Sequence, residues 1–221
     1  MTLQESRLDL ERRRRLGMVE AIWGEHKSVD QIVAILQTMQ SAGEIALVTR
    51  VERVKAAAVR DRCPAVQVHE QAACLTQGEL PATAQAPAVA VLSGGTSDRR
   101  VAEEASLALR VHGIATVSFL DVGVAGLHRL IDVLPELRSM SVLIACAGME
   151  GALPTVLAGL VPQPVIGVPV SVGYGVSAGG RAALDGMLAS CSPGLAVVNI
   201  DNGYGAAMAA LRILRGAPSQ D

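Results

Sequence analysis

A chain of 221 residues is long enough for one good-sized core and an appendage. Half of its residues are hydrophobic, yet only Trp23, Phe119, Tyr174 and Tyr204 are aromatic, so the core must come from Ala, Val, Leu and Ile, as in α/β proteins with close helix-sheet packing. The net charge of -2 argues against nucleic acid as a partner, and no apolar run reaches the roughly 18 residues that a membrane span needs.

From Thr2 to about Gly43 the text reads as an all-α arm, with the run Arg12 to Arg15 and the series Ile32, Val33, Ile35, Leu36, Met39 at helical spacing. Between Ile45 and Pro87 the pattern is less regular. Its last part, Gln77 to Pro87, with two prolines among Ala, Thr and Gln, reads as a linker. The expected division is therefore residues 1–87, a helical arm with a small α/β segment, and residues 88–221, a catalytic domain.

Beyond Ala88 short apolar runs alternate with helical stretches. Strands are expected at Ala88 to Leu92, Ala115 to Phe119, Ser141 to Ala145, Val165 to Val168 and Leu195 to Val198. Helices are expected at Asp98 to Val111, Ala125 to Arg138, Glu150 to Leu160, Arg181 to Ser190 and Ala206 to Arg215. Such alternation predicts a parallel sheet of about five strands flanked by helices, with ligands at the carboxyl ends of the strands.

The chemistry-bearing residues fall at those ends. Ser93, Gly95, Ser97 and Asp98 follow the first strand, where a glycine turn into a helix start suits a phosphate and equally suits a simple helix cap. Asp121, His128 and Arg129 follow the second. Gly148 and Glu150 follow the third, the carboxylate being a candidate general base or an ordinary helix-stabilising acid. Gly173, Tyr174 and Gly175 follow the fourth in a segment that reads as a flexible lid. Asn199, Asp201 and Asn202 follow the fifth, suited to sugar hydroxyls or a hydrated cation. Cys146, inside an apolar run, reads as packing. Cys191, near a helix C-terminus, gains nothing from the macrodipole, so a cationic substrate would have to favour its thiolate. The four scattered cysteines and the lack of a signal-peptide profile point to a reduced cytoplasm.

The ordered motifs SGGTSD, DVGVAGLHRL, CAGMEGALPTVLAGLV, PVIGVPVSVGYG, SCSPG and NIDNGYGA resemble the LarB family of nickel-pincer cofactor biosynthesis proteins. The second half of that family is similar to the aminoimidazole ribotide carboxylases and mutases. Near the N-terminus Asp9, Arg12, Arg15, Gly17, Glu20 and Ile22 fit a D-x-x-R-x-x-R-x-G-x-x-E-x-I pattern, with Lys27, Thr49 and Arg50 further matches. The chain departs from the family with Met18 and Val19 before Glu20 where Phe and Pro are expected, Val170 for Thr, and Ala189 for Asn.

The resemblance implies a flavodoxin-like three-layer fold and carboxylation of nicotinic acid adenine dinucleotide at ring carbon C5 with CO2 or bicarbonate. Phosphoanhydride hydrolysis would then release AMP and pyridinium-3,5-biscarboxylic acid mononucleotide. Within it Cys191 is expected to form a covalent adduct with the ring and Glu150 to take the C5 proton. Asp121 and His128 are expected to position water or metal. The turn at Ser93, Gly95, Ser97 and Asp98 is expected to hold the ribose-phosphate with Arg129 and the 172–175 segment. Mg2+ is the expected ion, with no ligand set legible, and no organic cofactor is expected. A homo-oligomer, tetramer or octamer, is implied. Trp23 reads either as core or as a cover for the ring. Two other functions are open: an aminoimidazole ribonucleotide carboxylase or mutase, and a non-catalytic dinucleotide-binding module.

Overall fold

The computed structural model describes residues 7–216, which form two compact units divided between Ala82 and Thr83.

The N-terminal unit runs α1 (Arg12–Leu16), β1 (Ala21–Trp23), α2 (Val29–Ser41), β2 (Ala46–Thr49), α3 (Arg53–Arg62), β3 (Gln67–His69) and β4 (Cys74–Gln77). The strands form one sheet in the order β1-β2-β4-β3, with β1 parallel to β2 and the other pairs antiparallel. The expected all-α arm is therefore interrupted by a strand, and its first residues lie outside the described residues. Three residues, Ala21 to Trp23, are too few to reveal a period of two, so only pairing with β2 defines them. β4 also takes Gln77 from the expected linker.

In the N-terminal D-x-x-R-x-x-R-x-G-x-x-E pattern, Asp9, Arg15, Gly17 and Glu20 hold the local fold. Arg15 forks onto both oxygens of Asp9 at 3.1 and 2.5 Å, the Asp9 amide donates to Glu20 at 2.7 Å, and Gly17 closes α1 at φ 67°. The Arg15 guanidinium holds the partly exposed Asp9 carboxyl below its ordinary value. Ser28 and Gln31 form a reciprocal capping box on α2, whose Ile32, Val33, Ile35, Leu36 and Met39 are buried as their spacing predicts. These pack with Val48, Val59 and Leu75 into a core of this unit's own.

The C-terminal unit contains β5 (Val89–Ser93), α4 (Arg99–Val111), β6 (Thr116–Phe119), α5 (Leu127–Leu137), β7 (Val142–Ala147), α6 (Ala152–Ala158), β8 (Val165–Pro169), α7 (Arg181–Leu188), β9 (Ala196–Val197) and α8 (Gly203–Gly216). All five strands are parallel in the order β6-β5-β7-β8-β9. The parallel sheet and its flanking helices are those expected from the alternation. β5, β7 and β8 are buried at every residue, which is why they read as unbroken apolar runs. Because β5 pairs with both β6 and β7, the chain leaves it toward one side and returns to the other. Such a switch point opens a crevice at the strand ends.

Among the described residues, no helix is long and apolar enough to cross a membrane.

Candidate active site

A cavity of about 470 Å³ opens at the carboxyl ends of β5, β6, β7 and β8. Ser97 and Asp98 line it from the turn after β5, Arg129 from the first turn of α5, Gly148 and Glu150 from the turn after β7, and Gly173 and Tyr174 from the segment after β8. Its size lies in the range of small-molecule sites.

Close backbone approaches shape it. A Cβ on Gly123 would lie 2.4 Å from the Gly94 carbonyl oxygen, and one on Gly148 would lie 2.2 Å from that of Val172. The Met149 amide donates to the same Val172 oxygen at 3.1 Å, so the strand-end turns of β7 and β8 are locked together. The 172–175 segment, expected as a flexible lid, is therefore pinned at its start. A Cβ on Gly173 would also meet the Ser177 carbonyl oxygen at 2.5 Å. Gly148→Ala is expected to destabilise the protein by about 1–3 kcal/mol, the usual range for overpacking. Gly175→Ala, with nothing within 4 Å and only its left-handed φ of 57° to strain, is expected to cost less. Thermal unfolding of the two variants side by side checks the order.

Asp98 is the centre of this arrangement. Its side chain is buried, with Oδ2 accepting from the Gly95 amide at 2.8 Å and Oδ1 from the Gly148 amide at 3.1 Å. One carboxylate thus ties the turn after β5 to the turn after β7. Burial pushes its pKa up, the two amide bonds oppose that, and the negative charge of Asp201 adds to the rise. With both oxygens engaged by the Gly95 and Gly148 amides, this carboxylate acts on the shape of the turn after β5; a direct bond from Asp98 to a phosphate would set two anions together.

Arg129 is placed by two neighbours. Its Nη1 lies 2.7 Å from Asp121 Oδ2, and a Cβ on Gly126 would come within 2.8 Å of its Nε, so glycine there leaves room for the guanidinium. Asp121 itself sits at φ 59°, its amide bonded to the buried Ser93 hydroxyl at 3.1 Å. Ser93 therefore braces the turn from below, beyond the cavity wall.

The remaining sequence candidates are spread wider. Glu150, at the cavity, is exposed and precedes the Gly151 cap of α6, whereas the others lie outside its lining. His128 is exposed and is not among the cavity-lining residues. Gly175 and Ser93 are likewise absent from the lining. Asp201, at φ 54°, accepts the Ser171 amide at 2.8 Å. Asn199 and Asn202 accept the amides of Ile200 and Gly205, each at 2.8 Å. These three side chains shape the loop into α8. Cys191 is exposed beyond α7. Its neighbour Ser192 donates to the Thr155 carbonyl at 2.7 Å, at the middle of α6, and Cys191 is not among the cavity-lining residues, which include Ala152 and Leu153 of that helix. Cys146 is fully buried, and desolvation raises its pKa strongly.

Four apolar liners, Val124, Ala125, Met149 and Leu153, escaped the sequence reading, whereas Val172 belongs to the expected 172–175 segment. All four lie inside the motifs, but nothing in one sequence separates an apolar liner from a core residue. Among the described residues no three His, Cys, Asp or Glu side chains group as metal ligands. With Asp98, Asp121 and Asp201 each engaged, the residues present do not make a cage for Mg2+.

Residues 88–220, which hold the whole five-stranded sheet and this cavity, match the AIR carboxylase family. The chain belongs to that family. Residues 1–79 match the LarB/PurE-like N-terminal domain, so the pairing expected from the LarB resemblance is present. The uncharacterized protein MJ0165 of Methanocaldococcus jannaschii is 38% identical over 208 residues, covering 90% of this chain and 80% of that protein. The N5-carboxyaminoimidazole ribonucleotide mutase of the same organism is 37% identical over 136 residues, 57% of this chain and 78% of the mutase. The crystal structure of Treponema denticola PurE shares the fold, with a TM-score of 0.50 and 24% identity over 59% of this chain and 81% of that one.

Proposed function

We propose that this member of the AIR carboxylase family is a carboxylase-type enzyme that acts on nicotinic acid adenine dinucleotide. It would carboxylate the pyridinium ring at C5 with CO2 or bicarbonate and hydrolyse the phosphoanhydride to AMP and pyridinium-3,5-biscarboxylic acid mononucleotide. The observation that carries this reading is the joining of a LarB/PurE-like N-terminal domain to an AIR carboxylase domain in one chain.

The chemistry fits the residues at hand. A pyridinium ring is too electron-poor to attack CO2. Addition of the Cys191 thiolate converts it to a dihydropyridine whose C5 is an enamine-type carbon. That carbon bonds to CO2, Glu150 takes the C5 proton, and the electron pair released expels the thiolate and restores the aromatic ring. The ring's positive charge favours the thiolate that attacks it. Arg129 binds the phosphate of the mononucleotide half, with the amides of the Ser97 turn beside it. Asp121 and His128 position the water that cleaves the anhydride, and any Mg2+ arrives on the substrate's pyrophosphate. Because Cys191 stands outside the cavity of its own chain, a homo-oligomer, tetramer or octamer, supplies it to the cavity of a neighbouring copy.

Incubation of the protein with nicotinic acid adenine dinucleotide, bicarbonate and Mg2+, followed by mass spectrometry, is expected to give AMP and the doubly carboxylated mononucleotide in equal amounts. If neither appears, the reading fails. The likeness to the mutase favours a second reading, action on an aminoimidazole ribonucleotide. That substrate is already an enamine-like nucleophile, so turnover of it by a Cys191→Ala protein at full rate would favour this alternative.

A further inference from the structure

We propose that Asp201 is a positioning residue for the substrate: from outside the cavity it fixes the wall formed by Val172, Gly173 and Tyr174. That wall needs support from elsewhere. Val172 and Tyr174 are exposed and Gly173 has no side chain, so burial cannot hold them in place. Hydrogen bonds and close backbone contacts must do so instead.

Asp201 supplies them at the exit of β8. Its amide donates to the Pro169 carbonyl and its Oδ1 accepts from the Ser171 amide, both at 2.8 Å. Between them the Val170 amide donates to the Ala147 carbonyl at 2.9 Å. Three consecutive residues are therefore tied, to the loop before α8 and to the end of β7, just before the chain enters the cavity wall. The far end of the segment returns to the same place. The Gly179 amide donates to the Ser171 carbonyl at 3.2 Å, and a Cβ on Gly180 would lie 2.8 Å from Ile200 Cγ2 and 3.0 Å from Ser171 Cα. Residues 172–178 thus leave and rejoin one anchor, which Asp201 holds.

The anchor is itself fixed by the fold. Asp201 sits at φ 54°, a left-handed conformation that aspartate tolerates better than most side chains and that surrounding contacts must maintain. Two residues on, Gly203 begins α8 so close to α4 that a Cβ would meet the Val101 carbonyl oxygen at 2.4 Å, and the buried Glu104 of α4 accepts the Tyr204 amide at 2.9 Å. α4 begins directly after Asp98. The helix that follows the turn after β5 therefore also sets the start of α8, and through Asp201 the opposite wall, although β7 separates β5 from β8. Residues 199–202 are not among those lining the cavity, so Asp201 acts through Ser171 rather than by touching substrate. The identity of the substrate rests on the proposed reaction; the placing of the wall does not.

Asp201→Gly keeps the left-handed backbone without strain and removes the acceptor, whereas Asp201→Asn keeps an acceptor and a side chain suited to that φ. With nicotinic acid adenine dinucleotide varied at saturating bicarbonate and Mg2+, Asp201→Gly is expected to raise KM about tenfold with kcat within about twofold of the wild type, because a loosened binding wall weakens ground state and transition state alike. Asp201→Asn is expected to bring KM back to within about threefold of the wild type. A merely structural lesion would instead lower kcat through the folded fraction and leave KM alone. Hydrogen exchange read by mass spectrometry on the ligand-free, full-length proteins gives the second measure. The 171–179 amides are expected to exchange about tenfold faster in Asp201→Gly than in the wild type or Asp201→Asn, while those of β5 and β7 stay protected. Unchanged exchange in that segment, or an unaltered KM, overturns the proposal. So does an Asp201→Asn protein as impaired as Asp201→Gly, which would assign the effect to charge and not to the bond with Ser171. Faster exchange confined to the segment, with no carboxylated product from any of the proteins, would count against the proposed reaction and leave the anchor standing.

Discussion

The Cys191→Ala protein is expected to form no carboxylated nucleotide, a fall on the order of 10³-fold or more, as removal of a covalent nucleophile produces elsewhere. The effect is large because no later step can proceed on an aromatic pyridinium: without the adduct, C5 has no electron pair to offer. Cys146 cannot take over. It is fully buried in β7, where desolvation, the first cause, and the charges of Asp98, Glu104 and Asp201 all raise its pKa. Cys191 lies past the C-terminal end of α7, so it gains no amide donors from that helix's N-terminus. If the thiol serves a neighbouring copy, mixed assemblies of Cys191→Ala and Glu150→Gln chains should regain activity that neither has alone. Random pairing of equal amounts gives about a quarter of the normal sites, since an intact cavity and an intact thiol then meet by chance. Product assays on co-expressed chains measure this. Absence of recovery, with both single variants folded and inactive, would place thiol and carboxylate in the same chain's site; undiminished activity in Cys191→Ala would remove the thiol mechanism altogether.

Asp98→Asn is expected to lower kcat/KM about 10²-fold, from loss of hydrogen bonds to a charged group at roughly 1.5–3 kcal/mol apiece. Asparagine can turn its carbonyl oxygen to only one of the Gly95 and Gly148 amides and must aim an N–H₂ at the other, donor against donor. The turns after β5 and β7 then lose their common anchor, and Arg129 and Glu150 no longer share one geometry. The pH dependence separates this from a general loss of packing. The pKa of Asp98 is raised in the folded protein, chiefly by burial. A raised carboxyl binds its proton more tightly folded than unfolded, so its contribution to stability is fully present below the unfolded value and is lost as pH rises through the folded value. Activity runs the other way, because only the carboxylate accepts from both amides. The wild type should therefore lose activity on acidification above the ordinary carboxylate range while its stability gains in that window. In Asp98→Asn both trends should flatten. Rate and thermal-unfolding profiles against pH, taken together, test this, and an unchanged acid limb in the variant would show that Asp98 is not the group responsible.

Much of the catalytic domain was legible because buried parallel strands write themselves as apolar runs. β5, β7 and β8 have no exposed residue, so their ends could be placed within one or two positions, and with them the turns that carry Ser97, Arg129, Gly148 and Glu150. The N-terminal unit was harder. β1 is three residues long and owes its existence to pairing with β2, a contact distant in sequence. The roles within the turns were also illegible. Ser93 and Asp98 are both buried polar residues of one short motif, yet one braces the Asp121 amide and the other bridges two loops. A glycine in a sequence does not say what presses on it: at Gly148 it is the Val172 carbonyl oxygen, at Gly126 the Arg129 side chain, and at Gly175 nothing.

By itself the sequence determined the alternation of strands and helices, the stations at the strand ends, and the family likeness, since these depend on local period and ordered motifs. Tertiary structure decided which stations meet. The order β6-β5-β7-β8-β9 brings Asp98, Arg129 and Glu150 to one cavity and leaves Cys191 at the surface beyond α7. The physical reason is that a thiol's reach depends on where its helix packs, and that packing is set by side chains far from it in the chain.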